Sequence, residues 1–138
     1  MATFSEGKTF ELDIMTPMKS AFTGQVEYLS AFGVDGSFGV LVNHAPMLSA
    51  LDFGPLFVRK PGGEGQWFVV CSGFFEIHEN KAALLVETCE SKQDIDVNRA
   101  LAAKERAEKR LTNPENVDID RARAALQRAL VRIQTAAK

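Results

Sequence analysis

Arginines recur at a fixed spacing in the last third of the chain. They form two sets, Arg99, Arg106 and Arg110, and then Arg121, Arg128 and Arg132, each at positions i, i+7 and i+11. At about 100° per residue, each set would share one face of an α-helix. Such a face can hold a polyphosphate through forked guanidinium donors, or it can bind an acidic protein surface. A solvated face with i,i+4 ion pairs, for which Glu105 and Lys109 are suitably spaced, is a third interpretation.

Other residues that could do chemistry do not form a catalytic set. His44 and His78 are the only histidines, and neither has a nucleophile or carboxylate at a spacing typical of a catalytic site. Cys71 and Cys89 lack the spacing of a metal site and are expected to be reduced thiols. The Gly-rich segment 61–65 lacks the Lys-Ser/Thr of a phosphate loop and predicts a hairpin tip. The sequence therefore predicts a protein with no enzymatic or metal site of its own.

The elements that must position the arginines differ between the two parts of the chain. Before residue 90, short β-rich runs are separated by turn signals, a pattern that favours an antiparallel β-sandwich or barrel. Residues 10–14 alternate between apolar and polar, as a half-buried strand does. Residues 26–32 are predicted to form one strand, with Val26, Tyr28 and Ser30 on one face and Leu29 on the other.

After residue 90 there is no Gly and only one Pro, and helix-forming residues dominate. A first helix is predicted from about Asp96 to Leu111, ended by Thr112-Asn113-Pro114. A second begins at Asp118-Ile119-Asp120 and runs to about Thr135. The short connection predicts an antiparallel hairpin. Its apolar stripes comprise Val97, Ala100, Leu101, Ala107 and Leu111 in the first helix, and Ile119, Ala122, Leu126, Ala129, Leu130 and Ile133 in the second.

Charge also divides the chain into two parts, predicted as domains 1–90 and 91–138. Residues 1–90 carry 5 Lys and Arg against 11 Asp and Glu, whereas residues 91–138 carry 11 against 7. An acidic body and a basic tail suggest different partners for the two parts. The modest charge and the absence of interleaved aromatics in the basic part argue against nucleic acid. No apolar run reaches the roughly 20 residues of a bilayer span, so direct membrane insertion is not expected.

Three motifs, in order along the chain, carry a resemblance to a known family. Residues 35–51 resemble the epsilon subunit of bacterial and chloroplast ATP synthases, which have an acidic-Gly-x-x-Gly run followed by Gly-His-Ala-Pro. Asn43 stands here in place of the usual Gly. Residues 71–77 are similar to the family's Ser-Gly-Gly-Phe-x-Glu-Val, with Phe74 at the second Gly. Residues 94–100 match its Ile/Leu-Asp-x-x-Arg-Ala motif.

The resemblance implies a β-sandwich of about ten strands followed by an α-helical hairpin. It implies a non-catalytic rotor subunit of a proton- or sodium-translocating ATP synthase, docked on the gamma subunit and the c-subunit ring. It implies that the hairpin can fold against the sandwich or extend toward the catalytic alpha and beta subunits, and that the extended form inhibits ATP hydrolysis. No cofactor is obligatory, but ATP is implied as a regulatory ligand in some members. The location implied is the cytoplasmic face of a bacterial inner membrane or the stromal face of a thylakoid.

The family's functional residues can be carried over by motif position. The implied ATP-binding residues are Glu90, Ile95, Asp96, Arg99, Ala100, Arg106, Arg128 and Arg132. The implied rotor contacts are Val34, Asp35, Gly36, Ser37 and Phe38, together with Asn43, His44, Ala45, Pro46 and Met47, all expected at the rotor-facing end of the sandwich. A stand-alone β-sandwich ligand-binding module with a helical oligomerisation hairpin is the alternative function.

Overall fold

The chain divides after Ser91 into two compact units, Met1–Ser91 and Lys92–Lys138. The computed structural model describes residues 8–113, 115 and 118–138. The strands are β1 (Phe10–Met15), β2 (Ser20–Val26), β3 (Tyr28–Gly33), β4 (Gly36–Val40), β5 (Met47–Leu51), β6 (Gly54–Arg59), β7 (Gly65–His78) and β8 (Lys81–Ser91). A single 3-10 turn (Lys92–Asp94) precedes the helices α1 (Val97–Thr112) and α2 (Ile119–Ala136).

The first unit is a β-sandwich of eight continuous strands, where about ten were expected. The difference arises because β7 and β8 each pass through both layers. The C-terminal half of β7 pairs with β5, and its N-terminal half pairs with β6. One layer therefore contains β2, β1, β8, β7 and β5, and the other contains β8, β7, β6, β3 and β4. Because β7 and β8 each contribute one segment to each layer, each layer contains five described strand segments, which makes ten in all. The predicted fold class is confirmed.

Residues at the middle of β7 allow the strand to turn from one layer to the other. Ser72 has a φ of 34°, a left-handed conformation that is uncommon for a residue with a side chain. At Gly73, a Cβ atom would lie 2.0 Å from the carbonyl oxygen of Leu85 on β8. Only glycine permits this approach of the two backbones. The Ser-Gly of the second family motif therefore has a structural reason in this chain.

The core lies between the two layers and is built from the inward residues of the alternating strands. Its fully buried large side chains include Phe10, Leu12, Ile14, Leu29, Leu56, Phe75, Ile77 and Leu84. The prediction of one strand over residues 26–32 was wrong. The chain breaks at Glu27, so Val26 ends β2 facing the core, whereas Tyr28 begins β3 facing outward. Alternation alone carries no signal for a sharp turn of this kind.

The second unit is a helical hairpin, as predicted. The Asp96 carboxylate caps α1 by accepting the backbone N–H of Arg99 at 3.0 Å, and the Asp118 carboxylate caps α2 in the same way. The predicted helix starts are therefore correct to one residue. Asn113 is the C-cap of α1, while Pro114 lies outside the described residues. Within the described residues, neither helix has the length and apolar character of a membrane span.

Candidate functional site

The arginines of α1 flank the face through which the hairpin packs. Ala100 and Ala107, seven residues apart, are both buried. Arg99 and Arg106 each precede one of these alanines and are exposed. One residue corresponds to about 100° of rotation, so the two guanidinium groups lie to one side of the buried alanine face. Because the α1 face is made of small residues, the partner helix can approach closely.

The second helix repeats this arrangement. Ala122 and Ala129 are buried, and the exposed Arg121 and Arg128 each precede one of them. The two helices pack against each other as an antiparallel hairpin. In an antiparallel pair, residues that precede the contact position in both helices lie on the same side of the interface. The two arginine sets therefore lie on one side of the hairpin, which we call the arginine side.

Charges on the arginine side are poorly neutralised by the hairpin itself. The described ion pairs of α1 join Lys104 to Glu108 at 3.6 Å and Lys109 to Glu105 at 3.2 Å, on other parts of the helix. Within the described part of the chain, no ion pair involves the arginines Arg99, Arg106, Arg110, Arg121 or Arg128. The Glu105–Lys109 pair expected from the sequence forms, but it does not use the arginines. Among the described residues, these five arginines therefore present unpaired positive charges on the arginine side.

The remaining residues of the implied ATP site have different environments. Glu90 lies half-buried near the end of β8, in the sandwich unit, whereas the others lie in the hairpin unit. Ile95 is buried, as is Ala100. One carboxylate oxygen of Asp96 accepts the backbone N–H of Arg99 at the N-cap of α1, so Asp96 fixes the backbone that carries the Arg99 side chain. Arg132 is half-buried and has an interaction of its own.

The two implied rotor-contact segments lie at opposite ends of β5. The backbone N–H of Val34 donates to the carbonyl of Ala50 at 3.0 Å, near the C-terminal end of this strand. The segment 43–47 leads into its N-terminal end, three residues or about 10 Å away. On its free side, β5 pairs with β3 only at Leu51. The segments are thus joined along the edge of the sheet rather than gathered in one loop cluster.

An exposed apolar row crosses the outer face of the layer that contains β5. Met15, Leu85, Phe74 and Ala50 are successive cross-strand partners on β1, β8, β7 and β5. Met15, Leu85 and Phe74 are 39%, 53% and 56% exposed, although each lies in a regular strand. Leu48, two residues from Ala50 on the same face, is 70% exposed. Sequence reasoning missed this row, because strand register decides which outward residues become neighbours.

Two shallow grooves accompany the row. One, of about 390 Å³, is lined by residues that include Met15, Pro17, Phe74 and Leu85. The other, of about 470 Å³, is lined by Pro46, Met47, Leu48, Glu76, Ile77 and His78. Both open on the surface beside β5 or the row, and the second touches the implied rotor-contact segment. The apolar row, the grooves and the β5 edge together form what we call the docking face.

Comparison with known proteins decides the family. The beta-sandwich domain of the ATP synthase delta/epsilon chain matches residues 9–92, and the long alpha-helix domain of the same chain matches residues 93–137. The chain belongs to the ATP synthase epsilon-chain family. An ATP synthase epsilon chain from Nitratidesulfovibrio vulgaris (strain DP4) is 47% identical over 104 residues, covering 75% of this chain and 77% of the relative. Another from Syntrophomonas wolfei is 40% identical over 103 residues, covering 75% of each.

Solved structures show the same fold at low identity. A chain in the OSCP/F1/c-ring structure of Euglena gracilis mitochondrial ATP synthase is similar with a TM-score of 0.72 and 18% identity, covering 99% of this chain and 84% of that one. A chain of the Tetrahymena thermophila central stalk and c-ring structure has a TM-score of 0.54 and 18% identity, covering 62% and 69%. Membership of the epsilon-chain family assigns the chain a structural and regulatory role rather than that of an independent enzyme.

Proposed function

We propose that this chain joins the gamma subunit to the c ring in the rotor of a proton- or sodium-translocating ATP synthase, and that its hairpin restrains ATP hydrolysis in response to ATP. Family membership supports the rotor role. Held by these partners, the protein would act at the cytoplasmic face of a bacterial inner membrane or the stromal face of a thylakoid. The docking face and the arginine side are the two surfaces that would carry this function.

The docking face supplies the contact with the rotor. Exposed side chains such as Phe74 and Leu85 gain roughly 25 cal/mol for each Å² of apolar surface that a partner covers. The row is the proposed contact with the gamma subunit, because it lies on a rigid sheet face. The β5 edge and the segments 34–38 and 43–47 are the proposed contact with the c ring. This division leaves both partners on the sandwich and the hairpin free to change state.

Co-purification tests the rotor role. The chain carrying an affinity tag is expressed in a cell that makes the complete ATP synthase, and the captured subunits are identified. Recovery of gamma and c-ring subunits is the expected result. A chain that emerges with neither, but as a helix-dependent oligomer, would support the alternative function of a stand-alone binding module.

The arginine side is the observation that carries the regulatory part of the proposal. The guanidinium groups of Arg99, Arg106, Arg110, Arg121 and Arg128 repel one another on one side of the hairpin, since none of these five has an ion pair among the described residues. A triphosphate placed there would replace repulsion by charge-assisted hydrogen bonds. ATP would then shift the population toward the folded hairpin, because the extended form lacks this arrangement. The extended hairpin would be the form that reaches the alpha and beta subunits and slows hydrolysis.

Calorimetric titration of the isolated protein with ATP, ADP and GTP tests this part. ATP should bind more tightly than ADP, because the γ-phosphate adds charge that the arginines can meet. GTP carries the same three phosphates, so its affinity reports whether the adenine base is recognised as well. Equal dissociation constants for the three nucleotides would point to nonspecific anion binding. No detectable binding at millimolar ATP would remove the nucleotide site and leave the arginine side as a surface for an acidic protein.

A further inference from the structure

Two asparagines that lie 37 residues apart hold each other through a pair of hydrogen bonds. The backbone N–H of Asn43 donates to Oδ1 of Asn80 at 2.6 Å. In return, Nδ2 of Asn80 donates to Oδ1 of Asn43 at 3.0 Å. The pair joins the loop between β4 and β5 to the turn between β7 and β8. Asn43 is also the position at which this chain departs from the glycine of the family motif.

Both backbones are in conformations that suit this pairing. Asn43 has a φ of 65° and Asn80 a φ of 60°, in the left-handed region that asparagine tolerates better than most residues. With Glu79 at 49°, Asn80 forms a tight two-residue hairpin turn with positive φ at both positions. The carbonyl of Asn80 also accepts the backbone N–H of Glu11 at 2.9 Å. Asn80 is thus held by the turn between β7 and β8 and by a hydrogen bond to β1, independently of its contact with the loop.

The loop itself has few other ties to the sheet. Within the described hydrogen bonds of residues 41–46, the backbone N–H of His44 donates to Leu41 at 3.3 Å, and the His44 ring contacts the carbonyl of Ala45 at 2.6 Å. Both bonds are internal to the loop. The Asn80 side chain is therefore what connects this described segment to the hairpin beside it. The 470 Å³ groove lies between these same two elements, with Pro46 on one side and His78 on the other.

We propose that the Asn43–Asn80 pair is a positioning element that sets the loop 43–47 for its contact with the c ring. The inference rests on the proposed function of this loop. In a chain with glycine at position 43, the left-handed backbone needs no side chain. Asparagine accepts the same backbone geometry and adds a second hydrogen bond to a fixed partner. The pair reduces the number of loop conformations that must be lost when the ring binds.

Glycine variants test the proposal without straining the backbone. N43G and N80G each keep the positive φ and remove one member of the pair. N80G removes both hydrogen bonds, so affinity for the purified, detergent-solubilised c ring should fall about tenfold. N43G removes only the bond to Oδ1 of Asn43 and keeps the backbone donor, so its affinity should fall by a smaller factor of about three. The double variant N43G/N80G should be no weaker than N80G alone, because N80G already removes both hydrogen bonds. N43D should bind as the parent does, because its backbone N–H still donates and its carboxylate accepts from Asn80.

Controls separate positioning from general stability. Binding is measured well below the unfolding temperature, and affinity for the gamma subunit should stay unchanged in all four variants. Parental ring affinity in N43G and N80G, or additive losses in the double variant, would overturn the inference. Equal weakening of gamma and ring binding would do so as well. The variant H44E separates failure of this inference from failure of the proposed function. If H44E also leaves ring binding intact, the loop does not contact the ring and that part of the proposed function is wrong.

Discussion

At the scale of single residues, the arginine side makes the sharpest prediction. Arg99→Ala and Arg128→Ala should each weaken ATP binding by about 1.5–3 kcal/mol, the loss of one charge-assisted hydrogen bond. Arg123→Ala is the matched control, because Arg123 follows the buried Ala122 and lies on the other side of the hairpin. Calorimetry should give parental affinity for this control. Parental affinity in the first two variants would mean that the arginines serve another partner.

Gly73 offers a second residue-scale test. Its replacement by Ala would drive a Cβ atom into the Leu85 carbonyl and force apart the two strands that cross both layers. We expect a loss of about 1–3 kcal/mol in the free energy of unfolding, measured in urea. Ser72→Gly, at the neighbouring left-handed position, should be neutral or stabilising. A neutral Gly73→Ala would show that β7 and β8 can separate without cost.

The Cys89 thiol gives a prediction about pH. Burial raises the pKa of Cys89 from 9.0 to about 11. The folded state therefore keeps the proton in a range where the unfolded thiol loses it. The stabilisation is complete below pH 9 and is lost as the pH rises toward 11. Thermal unfolding of the parent should show this fall, and Cys89→Ser should reduce it; identical pH profiles would contradict the assignment.

At the scale of elements, the alanine seam of the hairpin can be tested. Ala107→Leu should overpack the contact between α1 and α2 and destabilise the folded hairpin by about 1–3 kcal/mol. Ala102→Leu, on an exposed face of the same helix, is the control and should have little effect. The helical circular dichroism signal in a urea titration reports the difference. ATP affinity should fall only in Ala107→Leu, because the two arginine sets need the folded hairpin to lie together.

The elements also show what a sequence can and cannot predict. Helix starts at Asp96 and Asp118 were predicted correctly, because capping is local chemistry carried by one side chain. The break at Glu27 and the passage of β7 through both layers were not predicted, because they depend on pairing between distant segments. The arginine sets could be found from spacing alone. That they share one side of the hairpin required the buried faces of both helices.

Stripe predictions for the hairpin were right in part. Ala100, Ala107, Ala122 and Ala129 are buried as expected. However, Val97, Leu101 and Ile119 are 40%, 46% and 41% exposed. The predicted apolar stripes are therefore wider than the buried contact between α1 and α2. Val131 and Thr135 are buried on a different face of α2, which the spacing of the stripe did not include. Small residues at the seam, rather than large ones, set the distance between the helices.

At the scale of the whole molecule, the docking face and the hairpin have separable tasks. Phe74→Ser combined with Leu85→Ser should leave the core intact, because both side chains point outward, yet weaken binding to the gamma subunit. Co-purification yield measures the effect, with the outward polar change Thr23→Ser as a control on β2. Undiminished gamma recovery from a correctly folded double variant would show that the apolar row is not the contact.

Asp35→Lys should reduce ring assembly rather than gamma binding.

The rate of ATP hydrolysis by the assembled enzyme tests the central claim most directly. A chain ending at Ser91 keeps the sandwich and its core, which contain none of the described residues of the hairpin unit. Enzyme assembled with this chain should hydrolyse ATP faster than enzyme with the full chain, and the difference should be largest at low ATP, where the full-length hairpin is extended. An unchanged rate at every ATP concentration, in an enzyme shown to contain the folded truncated chain, would contradict the account.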